Sequence, residues 1–198
     1  RVFMEGMYSG GAYAAKILAE RFDFISYNNL LDVGGGPGVF TIEIAKRYPH
    51  LKAIVYDLPE ACAIATERIR CAQLSDRIGV RLGDFFEGPL PDGADVLLLS
   101  RVLHAWNSSK NEIILQKAYD ALSSGGAVII YDWMMDDDQT GPLFAALLSL
   151  TMLVYAEGWA YAWSDYSQWL TQAGFVEVRQ IPMEPSHGAN GMVVAVKP

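Results

Sequence analysis

Five short apolar runs punctuate the first two thirds of the chain: Leu30–Val33, Ala53–Tyr56, Val80–Leu82, Val96–Leu99 and Ala127–Tyr131. Between and after them, at about residues 38–47, 59–72, 108–122 and 142–156, polar and apolar residues recur at helical spacing. Uniformly apolar strands alternating with helices predict a parallel sheet covered on both faces. Ser108 and Ser109 are placed to cap a helix over 110–122, which Gly125-Gly126 closes, and Ser164 to cap one over 165–173, which Gly174 ends. Beyond Gly174 the period falls to two. FVEVRQI and MVVAVK, joined by the turn-rich MEPSHGANG, predict an antiparallel pair at the sheet edge. The expected fold class is α/β, a mostly parallel twisted sheet with helices on both faces and a C-terminal antiparallel strand pair.

The first strand runs into DVGGGPG. The dinucleotide fingerprint would need glycine or alanine at position 39, where Val39 stands, and the phosphate loop of nucleotide triphosphatases would need GK[ST], which is absent. Glycines here still let backbone pass close to a ligand, and the helix that follows offers free N–H groups. Asp57 closes the second strand, where a carboxylate can accept both hydroxyls of a ribose. Asp84, in GDFF, ends the third strand beside aromatic rings suited to a base. Ligands of open parallel sheets sit at the carboxyl ends of the strands. A ribose, a base and no phosphate fit S-adenosylmethionine.

Composition narrows the partners. With 198 residues, 52% of them hydrophobic, the chain can bury a single sizeable core. A formal net charge of -8 without a Lys/Arg cluster argues against nucleic acid. The apolar stretch from Gly141 to Ala156 is too short to span a bilayer and reads as a buried helix. Cys62 and Cys71 lack metal-ligand spacing and suggest reduced thiols in a cytoplasmic protein; no metal is expected, Asp136–Asp138 being adjacent rather than convergent. A G-x-S-x-G nucleophile elbow is absent.

LLDVGGGPG, YDLPE, GDFFEGPLP, LLLSRVLHAW, SSGGAVIIYDWMM and LLSLTMLVYAEG, in that order, resemble the small-molecule O-methyltransferase family of acetylserotonin, caffeate-type and bacterial polyketide-tailoring enzymes. The resemblance covers about residues 25–198 and implies a Rossmann-like class I methyltransferase fold. It implies cofactor contacts from Gly34, Gly36, Asp57, Leu58, Asp84, Phe85 and Arg101. It also implies a methyltransferase domain over 23–198, with residues 1–22 a linker-helix remnant of an N-terminal domain through which the full-length protein forms a homodimer.

The resemblance makes His104 the general base for a hydroxyl acceptor, with Asp132 orienting it. His50 and His187 read as loop residues. A phenol titrates near ~10 and histidine near ~6.5, so full prior ionisation of the acceptor is unfavourable. General-base help is typically worth ~10²–10⁴, whereas orientation can lower a barrier by ~7–11 kcal/mol, so positioning is expected to dominate. Three features depart from the family pattern. Ala105 follows the histidine, and Ala160 and Tyr161 stand where relatives carry a supporting Glu and an Arg. Glu157 is a candidate substitute. These departures keep two alternatives open: methylation of an enolisable carbon, and a cofactor-binding protein with lost or changed transfer. Among the many aromatic and sulfur-bearing residues nearby, Trp106, Met134, Tyr155 and Trp159 are the candidates to line a pocket for a flat apolar small molecule.

Overall fold

The computed structural model describes residues 2–184 and 189–198, with the backbone alone for 2–10. His187 and part of the MEPSHGANG turn lie outside the described residues.

Seven strands form one sheet: β1 (Asn29–Val33), β2 (Lys52–Asp57), β3 (Ile78–Leu82), β4 (Ala94–Ser100), β5 (Leu122–Asp132), β6 (Val176–Pro182) and β7 (Gly191–Val196). Their order is β3-β2-β1-β4-β5-β7-β6. The first five run parallel, and β7 inserts antiparallel between β5 and β6. The order reverses between β1 and β4, and a parallel sheet opens its ligand crevice at such a switch.

Strand residues alternate between two cores. Leu30, Val96, Leu98 and Ile129 face one, with α1 (Val2–Arg21), α2 (Val39–Arg47) and α3 (Pro59–Cys71). Leu31, Val33, Leu97 and Ile130 face the other, with α4 (Ser108–Ala121) and α6 (Trp163–Gln172). Both faces being buried explains why the strands read as continuous apolar runs. Ala14, Ala15, Leu18 and Ala19 of α1 belong to the first core, and the Phe22 and Phe24 rings meet at 4.7 Å across the expected 22/23 boundary.

Three local expectations are corrected. Asn107, not Ser108 or Ser109, caps α4, accepting the Lys110 N–H at 3.1 Å, and its two serines lie in the first turn. Gly125-Gly126 lies inside β5, which starts at Leu122 directly after the helix. Ser164 lies in the first turn of α6, which Ala162 precedes. Asp165 accepts the Ala162 N–H at 2.9 Å, and Asp137 accepts the Ser164 N–H at 2.9 Å.

The stretch read as a buried helix forms α5 (Leu143–Tyr155), and it is not buried. Leu150 is 63% exposed and Leu153 78%; within α5 only Ala145 is buried. The other helices already fill both sheet faces, so apolar content here marks an uncovered surface rather than a core. Among the described residues, no helix is long and apolar enough to cross a membrane.

Candidate active site

The loop after β1 turns beneath its own glycines. Gly34 has φ +68° and Gly36 φ +55°, both in the left-handed region that side chains resist. The Gly34 N–H reaches the Tyr56 carbonyl at 2.8 Å, which ties the loop to β2. Asp57, at the end of β2, accepts the Gly36 N–H on Oδ2 and the Leu58 N–H on Oδ1, each at 2.7 Å. Burial pushes its carboxyl up, against these two hydrogen bonds. A carboxylate has about four lone-pair sites, so Asp57 retains acceptor capacity after both bonds.

A cleft of about 250 Å³ opens here, bounded by Gly34, Asp57, Leu58, Asp84, Phe85 and Arg101. Six of the seven expected cofactor residues thus converge on one space. Gly36 lines an adjoining recess together with Gly34 and Arg101. Phe86, Val102 and Ala105 also border the cleft, as does Trp106. Phe86, the second ring of GDFF, borders the cleft beside Phe85, and its ring meets that of Trp106 edge-on at 4.8 Å. Lys110 stands 4.9 Å from the Trp106 ring centre and 5.3 Å from that of Phe86. Arg101 has φ +58°, unusual for a side chain of its size, with its N–H held by the Tyr131 carbonyl at 2.8 Å. Backbone in this region costs a non-glycine residue roughly 1–3 kcal/mol, and here it falls at the cleft wall.

His104 occupies a single 3-10 turn, Leu103–Ala105, after β4. Its Nδ1 lies 2.6 Å from Asp132 Oδ1 at the end of β5. Asp132 is wholly buried, whereas 14% of the His104 side chain is exposed. Asp132 Oδ1 also accepts the Trp133 N–H at 2.8 Å, and its Oδ2 is buried without a hydrogen-bond partner. Beyond it, Asn190 clasps Met134 by both backbone groups, each at 2.6 Å.

Glu157 is engaged through its carboxylate by Lys110 and Asn107. Both its carboxylate oxygens lie 2.8 Å from Lys110, Oε2 also accepts from Asn107 Nδ2 at 3.0 Å, and its N–H reaches the Ala105 carbonyl at 3.2 Å. It braces the turn from outside. At Gly158 a Cβ would strike the His104 and Trp106 carbonyls, so the chain packs directly on that turn.

The four aromatic-pocket candidates separate. Of Trp106, Met134, Tyr155 and Trp159, Trp106 alone borders the cleft. Met134 is sealed in the second core. Tyr155 is 83% exposed on α5, and Trp159, 48% exposed, meets the Tyr161 ring at a tilt, with centroids 4.9 Å apart. Composition signalled an aromatic neighbourhood, but not which way each ring faces. His50 Nε2 lies 3.0 Å from the Tyr27 carbonyl, a loop contact.

Comparison with known proteins shows the family to which the chain belongs. The profile of a family described as an O-methyltransferase domain matches residues 1–176. The chain is 45% identical over 195 residues to 3-hydroxy-5-methyl-1-naphthoate 3-O-methyltransferase of Streptomyces sahachiroi, covering 98% of this chain and 56% of that protein. It is 36% identical over 200 residues to L-tyrosine C(3)-methyltransferase of Streptomyces lavendulae, covering 100% of this chain and 55% of that protein. The crystal structure of human N-acetylserotonin methyltransferase in complex with SAM superposes with a TM-score of 0.88 at 30% identity, covering 98% of this chain and 55% of that one. The chain therefore spans just over half the length of these relatives.

Proposed function

The chain belongs to the O-methyltransferase domain family, and from that membership and the cleft we propose that it transfers a methyl group from S-adenosylmethionine to a hydroxyl of a small aromatic or polyketide-like molecule. The observation that carries the reading is the pairing of the Gly36 N–H with Asp57 at the rim of a cleft that Ala105, next to His104, and Trp106 also line. The glycine loop supplies close backbone approach, Asp57 has acceptor capacity for ribose hydroxyls, and Phe85 offers a flat apolar wall for adenine. Further support comes from the human relative, whose structure holds SAM.

The bound cofactor supplies an electrophilic methyl on a sulfonium. The protein's own part is to orient the acceptor and receive its proton. Asp132 accepts from Nδ1–H of His104, which fixes the tautomer with the Nε2 lone pair free to take the hydroxyl proton. Positioning by the Trp106 wall is the larger contribution expected.

C-methylation is the second reading. The resemblance to a tyrosine C(3)-methyltransferase over the full chain favours it, as do Ala160 at the usual Glu position and a Glu157 that faces Lys110 instead of the base. Residues 1–22 as the link to an N-terminal dimerisation domain, and homodimerisation of the longer protein, belong to the same proposal. They rest on the family resemblance and on the greater length of the relatives.

Calorimetry with S-adenosylmethionine and S-adenosylhomocysteine, followed by incubation with labelled cofactor and a panel of phenols and enolisable ketones, tests these readings. Binding with O-methylated product is expected. Carbon-methylated product alone selects the second reading, binding without any product favours a domain that has lost transfer, and no binding of either compound overturns the proposal.

A further inference from the structure

Beneath the glycine loop lies a carboxyl group that the mechanism above does not use. Asp32, the fourth residue of β1, is 1% exposed. Its Oδ2 accepts from the Thr41 hydroxyl of α2 at 2.6 Å, and its Oδ1 is buried without any hydrogen-bond partner. A Cβ added at Gly35 would lie 2.7 Å from both Cγ and Oδ2 of Asp32. The carboxyl is therefore the floor of the loop, and only glycine backbone separates it from whatever the loop holds.

A half-satisfied buried carboxylate is costly for a fold that needs only packing here. It is useful where a positive charge must be recognised, because a low-dielectric surround strengthens its field. S-adenosylmethionine carries a sulfonium that its thioether product lacks, so the two differ by one positive charge at nearly constant shape. We propose that Asp32 is the charge by which this site distinguishes the cationic cofactor from its neutral product, cofactor binding being coupled to release of the Asp32 proton to solvent. The inference rests on the cofactor reading proposed above.

The electrostatic surroundings agree. Burial pushes the Asp32 carboxyl up to about 7, the Thr41 hydrogen bond opposing and the Asp57 charge on β2 adding to the rise. From β4, the pairing neighbour is uncharged Leu98, and Arg101 stands beyond the strand's end beside the loop. Tyr131 of β5, on the same face, is pushed up by burial and stays neutral. Near neutral pH the carboxyl is thus poised between its two forms. A cation on the loop favours the ionised one; a neutral thioether does not.

Titration calorimetry of the chain with S-adenosylmethionine and with S-adenosylhomocysteine, at about pH 6 and about pH 8 and in buffers of different ionisation heat, tests the coupling. Cofactor affinity is expected to rise across that interval about three- to tenfold more in the wild type than in Asp32→Asn, with product affinity changing less than about twofold between the two proteins. Proton release on cofactor binding near neutrality should fall in the variant. Both ligands carry an α-amine that titrates nearby, and comparing variants cancels it.

Thr41→Val keeps the carboxyl and removes the bond that opposes protonation. It should move the midpoint of the affinity change to higher pH, which keeps the test open if Asp32→Asn folds poorly. A wild-type affinity ratio between the two ligands that is flat with pH overturns the inference while leaving the cofactor reading intact. An unchanged pH dependence in Asp32→Asn does the same. Failure of the wild type to bind either ligand overturns both.

Discussion

The imidazole of His104 rests on a carboxylate that solvent does not reach: Nδ1 lies 2.6 Å from Asp132 Oδ1, and Asp132 is fully buried. A charge-assisted bond of this length in a dry setting holds the ring in one orientation. His104→Gln is expected to lower methyl transfer by about 10²–10⁴ and to leave cofactor affinity within about twofold by calorimetry. Asp132→Asn should lower kcat more than it raises KM, because it misorients the base without touching the cleft.

Glu157 sets a contrast. Its carboxylate is engaged by Lys110 and Asn107, so Glu157→Gln should leave the shape of the pH–rate profile unchanged. Its exposed ion pair is worth at most about 1 kcal/mol, readable as a small loss in thermal stability. A profile altered as in Asp132→Asn would show that Glu157 supports the base after all.

The loop glycines differ in their constraint. A Cβ at Gly36 meets nothing within 4 Å, so Gly36→Ala carries only the left-handed backbone cost, roughly 1–2 kcal/mol. At Gly34 the same backbone cost is joined by a Cβ 2.8 Å from Val102, a wall of the cleft. Gly34→Ala should weaken cofactor binding at least about tenfold more than Gly36→Ala, an additional cost of about 1.4 kcal/mol.

Asp32 should leave a mark on stability as well as on binding. Its carboxyl is held up to about 7, against an ordinary 3.8, so the folded chain keeps a proton that the unfolded chain has lost between those values. Stability from this residue is therefore greatest at low pH and declines as pH rises through that window, by about 4 kcal/mol in the limit. Thermal melts should show the Tm of Asp32→Asn gaining on the wild type from about pH 4 to about pH 8. A constant difference would contradict the assignment.

The exposed face of α5 invites a surface test. Replacing Leu150 and Leu153 with Glu should reduce binding of an apolar dye and self-association at high concentration. Cofactor affinity should stay unchanged, since neither residue borders the cleft.

The two-faced parallel sheet and the antiparallel ending were readable because each leaves a periodic trace: apolar runs from Leu30 to Tyr131, alternation after Gly174; the strand order leaves none and came from the structure alone. Asp57 and Asp84 were readable from their places at strand ends. What escaped was orientation. Met134 and Tyr155 are equally apolar in sequence, yet one is sealed in the core and the other almost fully exposed. The difference arises from which faces the other helices had already filled. Asn107 and Asp165 took capping roles because backbone geometry, rather than the presence of serine, decides which side chain reaches a free N–H.

The Asn190 clasp on Met134 ties the segment just past Asp132 to the strand entering the sheet last. The acid and its histidine come from the middle of the chain, but the exit of the strand that carries the acid is fastened at Met134 by a residue 56 positions further on. A proteolytic nick in this hairpin would therefore do more than free an edge: it would unlatch the segment that follows Asp132, the support under the imidazole.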